Sequence, residues 1–329
     1  MSRKERKVLR KKGVKVLPTV NHSHLHQKDS KSSNNKIMNF FDDHYKKLLL
    51  IPTILLLLSI IVIGMYAVNT GEFLSKGVSL KGGIELEIAS EVEMTAIEFQ
   101  NKLESSLPTA DIQVTVLSRL GAPTGYVVIA SDVTTDQLFD AVSAELGDIT
   151  GNYSKKETES SLGASFFKET LIALLFAFIF MGAVVFIYFR TFAPSLAVIL
   201  SALSDIIITV AVVDLMGIKV SAAGIAAFLM LIGYSVDTDI MLSAKVIKSA
   251  DGTVTERIFN ALKTGLTMTG TTLTAIIVVL LFSQSVVLSQ IMSILLIGLI
   301  IDIMNTWLQN AAILKWYSEK YPNKVGKVE

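Results

Sequence analysis

Four aspartates interrupt long apolar runs in this sequence: Asp205, Asp237, Asp239 and Asp302. A charged side chain at the bilayer centre costs about 2.5–3.5 kcal/mol on insertion scales, so each of these groups needs a reason to be there. A carboxyl group withdrawn from water can exchange a proton near neutral pH, which makes Asp205, Asp237 and Asp302 candidates for a proton relay. Counting 1.5 Å per helical residue puts Asp205 about 18 Å from one end of its apolar run, near mid-bilayer. Asp237 and Asp302 fall about 24–26 Å from the other side. Thr209, one turn from Asp205, offers a hydroxyl that would hold the carboxyl for packing alone. Asp239 is two residues from Asp237 and points to a nearly opposite helix face, so the two are not expected to line one path. Asp214 sits at a helix end within reach of solvent and is given no role.

Hydroxyls form the second pattern. Thr264, Thr267, Thr271 and Thr274 recur within about 80° on one helix surface. Such a stripe either reaches the aspartates, lines a hydrated path or bonds its own backbone one turn back. Enzyme chemistry finds no footing, since phosphate-cradling glycines, a metal-ligand helix pair and a serine elbow are all missing from the sequence. Two intramembrane aspartates would suit an aspartyl protease, but Tyr234-Ser-Val-Asp237 lacks the Gly-x-Gly-Asp wording. His22, His24 and His26 alternate without a carboxylate or cysteine partner, so neither a metal site nor a cofactor is expected. With no cysteine there is no disulfide framework and no thiol nucleophile.

These groups must be held by helices in lipid. Apolar residues make up 51% of 329 positions and charged residues 18%, against about 25% in soluble domains. Six stretches are long enough to cross the hydrocarbon: 48–68, 170–189, 193–215, 220–244, 265–283 and 286–308. The first is too long and begins too far in for a cleavable signal peptide, and Pro52 is tolerated in its first turn. The basic tail, together with Arg190, Lys245, Lys248, Arg257, Lys263, Lys315 and Lys320, places both termini in the cytoplasm by the positive-inside rule. Residues 1–47, poor in aliphatic clusters, are expected to be a disordered cytoplasmic tail that serves as an orientation signal, with contact to anionic lipid head groups or ribosomal RNA as the lesser alternative. Residues 311–329 form a second cytoplasmic tail.

Residues 69–168 then form an extracytoplasmic domain. Ile84–Ala89 alternates as a strand, Met94–Leu107 has helical period, Ile112–Leu117 and Tyr126–Ala130 read as strands, and Thr134–Leu146 as a helix. A last strand near 153–159 completes β-α-β-β-α-β, a ferredoxin-like α+β unit. Threonines cap both helices, and Gly121–Gly125 with Pro123 makes the hairpin. Between the fourth and fifth spans, Thr253-Val-Thr-Glu256 reads as a capping box opening an amphipathic helix, 253–263, on the cytoplasmic membrane face. Small residues at Ser221, Gly224 and Ala227 permit close helix packing.

Three segments then resemble a known family. Gly77-Val-Ser-Leu-Lys-Gly82-Gly83, Ile232-Gly233-Tyr234-Ser-Val-Asp237-Thr-Asp239-Ile240 and Gly270-Thr-Thr-Leu273 are similar to the SecF family of protein-export membrane proteins, and Asp-Thr-Asp to its archaeal branch. The resemblance covers about residues 48–310. It implies one half of a pseudo-symmetric pair with SecD, related to proton-driven efflux transporters of the RND superfamily. It also implies assistance to the SecY channel complex, contact with the translocating polypeptide and membrane lipids, and no nucleic-acid partner. In bacterial relatives an aspartate of the third span takes part in proton passage, and Ser204-Asp205 matches it. The bacterial glycine motif has Asp-Phe-Thr where Ser79-Leu80-Lys81 stands here. A basic residue of bacterial members aligns with Thr264, which makes neighbouring Lys263 a relay candidate beside Thr267 and Thr271.

The expected function is that of an accessory export subunit working with SecD and drawing on the proton gradient. A lipid or small-molecule exporter subunit should instead show an apolar pocket in the outer domain. A purely structural channel partner should tolerate exchange of its buried acids for amides.

Overall fold

The computed structural model describes residues 36–90, 94–119, 122–283, 285–322 and 325. The three tail histidines lie outside these. Residues 36–48 are helical, where composition suggested disorder. Among the described residues, six helices are long and apolar enough to cross a membrane.

The first of them, α1 (Leu50–Thr70), closes on Gly71, whose φ of 76° and N–H bond to Ala67 form a left-handed cap. After it comes a single turn, α2 (Val78–Lys81). The α+β unit comprises β1 (Gly83–Ala89), α3 (Ala96–Ser106), β2 (Asp111–Arg119), β3 (Ala122–Ser131), α4 (Thr135–Leu146) and β4 (Tyr153–Thr158). Its sheet order is β2-β3-β1-β4, antiparallel throughout. Thr95 and Thr134 cap α3 and α4 through their hydroxyls, and Thr134 completes a capping box with Gln137. The hairpin is tighter than the glycine and proline spacing suggested, because residues 122–125 pair within β3.

One face of this sheet is apolar by strict alternation. Ile84, Leu86 and Ile88 of β1, with Ile112 and Val114 of β2 and Tyr126 and Val128 of β3, pack on Phe99 and Leu103 of α3 and on Leu138 and Val142 of α4. Full burial of each aliphatic or phenyl side chain contributes about 1.5–3 kcal/mol. Tyr126 meets Phe99 edge-on at 5.0 Å, and its hydroxyl satisfies both backbone groups of Met94.

The remaining spans are α5 (Ser160–Phe189), α6 (Phe192–Leu215), α7 (Ala222–Lys248), α8 (Val254–Phe282) and a long sixth element. This last begins as α9 (Val286–Met304), widens into a π-helix (Asn305–Asn310) and ends as α10 (Ala311–Lys320). The amphipathic stretch 253–263 is not a separate surface helix. Its capping box at Thr253 and Glu256 opens α8, which runs unbroken to Phe282 because nothing in 254–265 breaks the helical backbone.

Helices α6 and α7 are the interior pair, with more than half of their apolar stretch buried, whereas α1, α5 and α8 bury less than a fifth. The end of α6 and the start of α7 that face each other across the 216–221 turn are tied to the chain leaving α1. Val220 N–H donates to Ser75 O at 2.7 Å, Gly77 N–H to Val220 O at 2.8 Å, and Ser75 N–H to the Asp214 carboxylate at 2.9 Å. Gln290 of α9 donates to Lys219 O at 2.6 Å, and the Lys219 ammonium meets Asp111 of β2 at 2.5 Å. This end of the bundle is thereby bonded directly to the sheet.

Gly83 starts β1 at φ 137°, and a Cβ there would lie 2.4 Å from Ala130 O of the neighbouring strand. Gly71, also at positive φ, has nothing within 4 Å of such an atom. Gly83→Ala is therefore expected to destabilise the chain by at least about 1–3 kcal/mol, and Gly71→Ala by only about 1 kcal/mol. Denaturant unfolding of both variants in detergent checks this, and equal effects would refute the close approach at Gly83.

Candidate functional site

Ser201, Ser204 and Asp205 share one face of α6, since residues three and four apart are neighbours on a helix. Ser235, Asp239 and Ser243 repeat that spacing on α7. Asp302 near the end of α9 is followed by Asn305, Thr306, Gln309 and Asn310. These eleven side chains are at most 3% exposed. The π-helix begins directly after α9, and its wider turn is a feature found often at functional sites.

Asp205 accepts a hydrogen bond from the Ser235 hydroxyl at 2.5 Å and another from the Asn305 amide at 2.7 Å. Asp239 accepts from the Asn310 amide at 2.7 Å, and Asp302 from the Thr306 hydroxyl at 3.2 Å. The Gln309 amide reaches Ser204 at 3.3 Å. Asp302 also lies beside Asp205 and Ser235, and Asp239 beside Ser201 and Thr306, so the three carboxyl groups form one connected cluster. Among the described residues no lysine, arginine or histidine pairs with any of them. Like charges in a dry interior repel strongly, so this site attracts positive charge and can hold it within a protein-lined, lipid-free space.

The structure brings together only part of what spacing suggested. Asp205 and Asp302 meet; Asp237 does not join them. It is exposed on the outer face of α7, and Asp239, set aside on the sequence, takes the inward position. The phase of α7 packed against α6 and α9 decides this. Thr209 does not hold the Asp205 carboxyl either, because its hydroxyl donates to the Asp205 backbone oxygen at 2.5 Å.

Lys263, Thr267 and Thr271 lie exposed on α8, away from the cluster. Each of Thr264, Thr267, Thr271 and Thr274 donates to a backbone carbonyl three or four residues back. Thr264 also accepts from Lys245 at 2.8 Å. The stripe thus satisfies its hydroxyls locally and does not touch the aspartates.

Gly233, Tyr234 and Gly270 belong to the same outward surfaces: Tyr234 is 40% exposed, and a Cβ on either glycine would meet nothing within 4 Å. Gly77 and Gly82 serve the outer joint instead. The Gly77 backbone bonds Val220, and Gly82 at φ 88° turns the chain into β1. Sequence reasoning missed Ser235, Asn305 and Asn310. Their signal was available in the polar residues at 302, 305, 306, 309 and 310, which recur at helical spacing within an otherwise apolar span.

Similarity to known proteins follows this architecture. The family described as protein export membrane protein SecD/SecF, C-terminal, matches residues 139–320. The protein-export membrane protein SecF of Methanocaldococcus jannaschii is 37% identical over 277 residues, which are 81% of this chain and 93% of that one. Its namesake from Methanothermobacter thermautotrophicus is 41% identical over 251 residues, 75% of this chain and 85% of the relative. Among solved structures, SecDF from Thermus thermophilus, a translocon-associated membrane protein, superposes with a TM-score of 0.64 at 18% identity. That match covers 85% of this chain but 38% of the other, so this chain corresponds in fold to part of a longer one.

Removing the amide donor to Asp205 leaves a buried carboxylate oxygen without a partner, at a cost of about 1–3 kcal/mol. Asn305→Ala should lower thermal stability in detergent accordingly, whereas Thr271→Ala, at an exposed position, should shift it by less than about 0.5 kcal/mol. Differential scanning calorimetry of the two variants separates them.

Proposed function

The chain belongs to the SecD/SecF family of protein-export membrane proteins, and from that premise we infer that it is an accessory subunit of Sec-dependent protein export whose buried carboxylates couple an ion gradient to movement of the sheet domain. The observation that carries the coupling is the Asp205, Asp239 and Asp302 cluster, fully buried among α6, α7 and α9 with no counter-cation among the described residues.

In this reading the α+β unit is a ferredoxin-like domain on the extracytoplasmic side, and both termini face the cytoplasm. Proton arrival at Asp205 changes the charge of the cluster and therefore the preferred packing of α6 and α7. The free energy available is about 2.3 kcal/mol per charge per 100 mV. Rearrangement at the outer ends of α6, α7 and α9 passes through Asp214, Val220 and Gln290 to residues 75–77 and, by Lys219, to Asp111 of the sheet. The sheet domain then binds or releases polypeptide emerging from the SecY channel.

Polar side chains left outward in the lipid-facing zone support a partner in the membrane. Asp237, Tyr234, Lys263, Thr267 and Thr271 are exposed on α7 and α8. SecD, the other half of the SecDF fold that this chain resembles, is the partner proposed for that surface. A small-molecule exporter is disfavoured by the cleft where α2 meets the ends of β1, β3 and β4. Its volume is about 560 Å³, but Lys81, Asp132, Glu157 and Glu159 line it, so it is polar rather than apolar.

Asp205→Asn is expected to reduce export in cells to the level seen without the chain, while co-purification with SecD stays normal. Undiminished export by an assembled variant would eliminate ion coupling at this site and leave a purely structural subunit. Gln290→Ala should lower export with Asp205 intact, because it weakens the outer joint.

A further inference from the structure

The first N–H groups of a helix have no acceptor within it and must find one outside. In α7 the capping residue Ser221 takes one of them, accepting from Gly224 N–H at 3.3 Å. Ala222 N–H is met from elsewhere: it donates to the Ser79 hydroxyl at 2.9 Å, across 143 residues of sequence. Ser79 belongs to the single turn α2, so the segment that leads into the sheet supplies a second cap to α7.

That turn has little freedom of its own. Leu80 is 1% exposed and belongs to the same buried apolar cluster as Phe167 of α5 and Ile225 and Phe228 of α7. Gly163 of α5 lies so close that an added Cβ would stand 2.8 Å from Leu80 O and 3.1 Å from Gly82 N. Lys81 pairs with Asp111 of β2 at 3.8 Å. Gly82 at φ 88° and Gly83 at φ 137° then lead straight into β1. A turn packed on this many sides transmits displacement instead of absorbing it. Movement of α7 therefore carries α2 and the start of β1 along, or it breaks the bond from Ala222 and strands a part-buried N–H.

We propose that Ser79 is a positioning residue for the coupled movement, the cap through which α7 directs α2 and the first strand of the sheet. This rests on the ion-coupled reading and deepens it by naming a contact distinct from those of Asp214, Val220 and Gln290. The role requires an acceptor oxygen at position 79. Threonine keeps one there and alanine does not. Proline at position 222 removes the donor instead. The first helical position tolerates proline, and Ser221 already has the extended backbone, φ −89° and ψ 175°, that proline imposes on the residue before it.

Hydrogen exchange of the purified full chain in detergent, read at residues 78–89 with and without Asp205→Asn, tests the proposal. Asp205→Asn should change exchange there by at least about fivefold. Ser79→Ala and Ala222→Pro should each shrink that response below about twofold, and combining them should add nothing, because both remove one bond. Ser79→Thr should preserve the response. A cap that only stabilises the fold would shift exchange equally whichever residue stands at 205, leaving the response intact, and that result overturns the proposal. Loss of the response in Ser79→Thr overturns it too, since the acceptor is then not what matters. Ala222→Pro reaches the bond from its other side, so misfolding of Ser79→Ala does not shelter the idea. If the response survives both cap variants, the role of Ser79 falls and ion coupling stands. If Asp205→Asn leaves exchange unchanged and export normal, the coupling reading falls and the role of Ser79 with it.

Discussion

Three carboxyl groups withdrawn from water inside a helix bundle impose the constraint around which the rest of this chain is arranged. Lipid offers them no hydrogen bond, and the bundle supplies no paired cation among the described residues, so donors must come from the protein itself, for Asp205 and Asp239 from other spans. Ser235 and Asn305 do so for Asp205, Asn310 for Asp239 and Thr306 for Asp302. Because those donors come from α7 and the sixth span, the three helices cannot rotate independently without orphaning a charge. The polar contacts therefore fix helix phase, which apolar packing alone leaves loosely specified.

That arrangement gives the bundle two ends with different jobs. Asp239 and Asp302 lie toward the C-terminal ends of α7 and α9, while the opposite ends of α7 and α9 and the C-terminal end of α6 engage the chain leaving α1. The joint there is made of directed bonds: Asp214 to Ser75, Val220 to Ser75 and Gly77, and Gln290 to Lys219. Such bonds transmit a small helix displacement because breaking one strands a polar group at a part-buried site. The Lys219 to Asp111 pair carries the connection into β2, an edge strand of the sheet. The carboxylate cluster and the joint to the sheet are thus carried by the same three helices, α6, α7 and the sixth span.

The exposed face of α7 and α8 has the opposite character. Its threonine hydroxyls are satisfied by their own backbone, so they make no demand on neighbours, yet Asp237 and Lys263 on that side remain polar groups in a lipid-crossing zone. A surface of this kind is costly against lipid and favourable against protein. The proposed pairing with a second membrane subunit follows from that imbalance.

The sequence by itself determined what depends on local properties. Six apolar stretches, the β-α-β-β-α-β order, the capping boxes at Thr134 and Thr253, and the presence of costly aspartates are all readable from hydropathy, periodicity and residue type. Asp205 and Asp302 were recognisable on that basis, because an acid in an apolar span is conspicuous whatever surrounds it. Only the tertiary structure decided that Asp239 rather than Asp237 turns inward, that Asn305 and Asn310 complete the cluster, and that the threonine stripe stands apart from it. The physical reason is that a helix's rotation about its own axis is set by the neighbours it packs against, and neighbours distant in sequence leave no local mark.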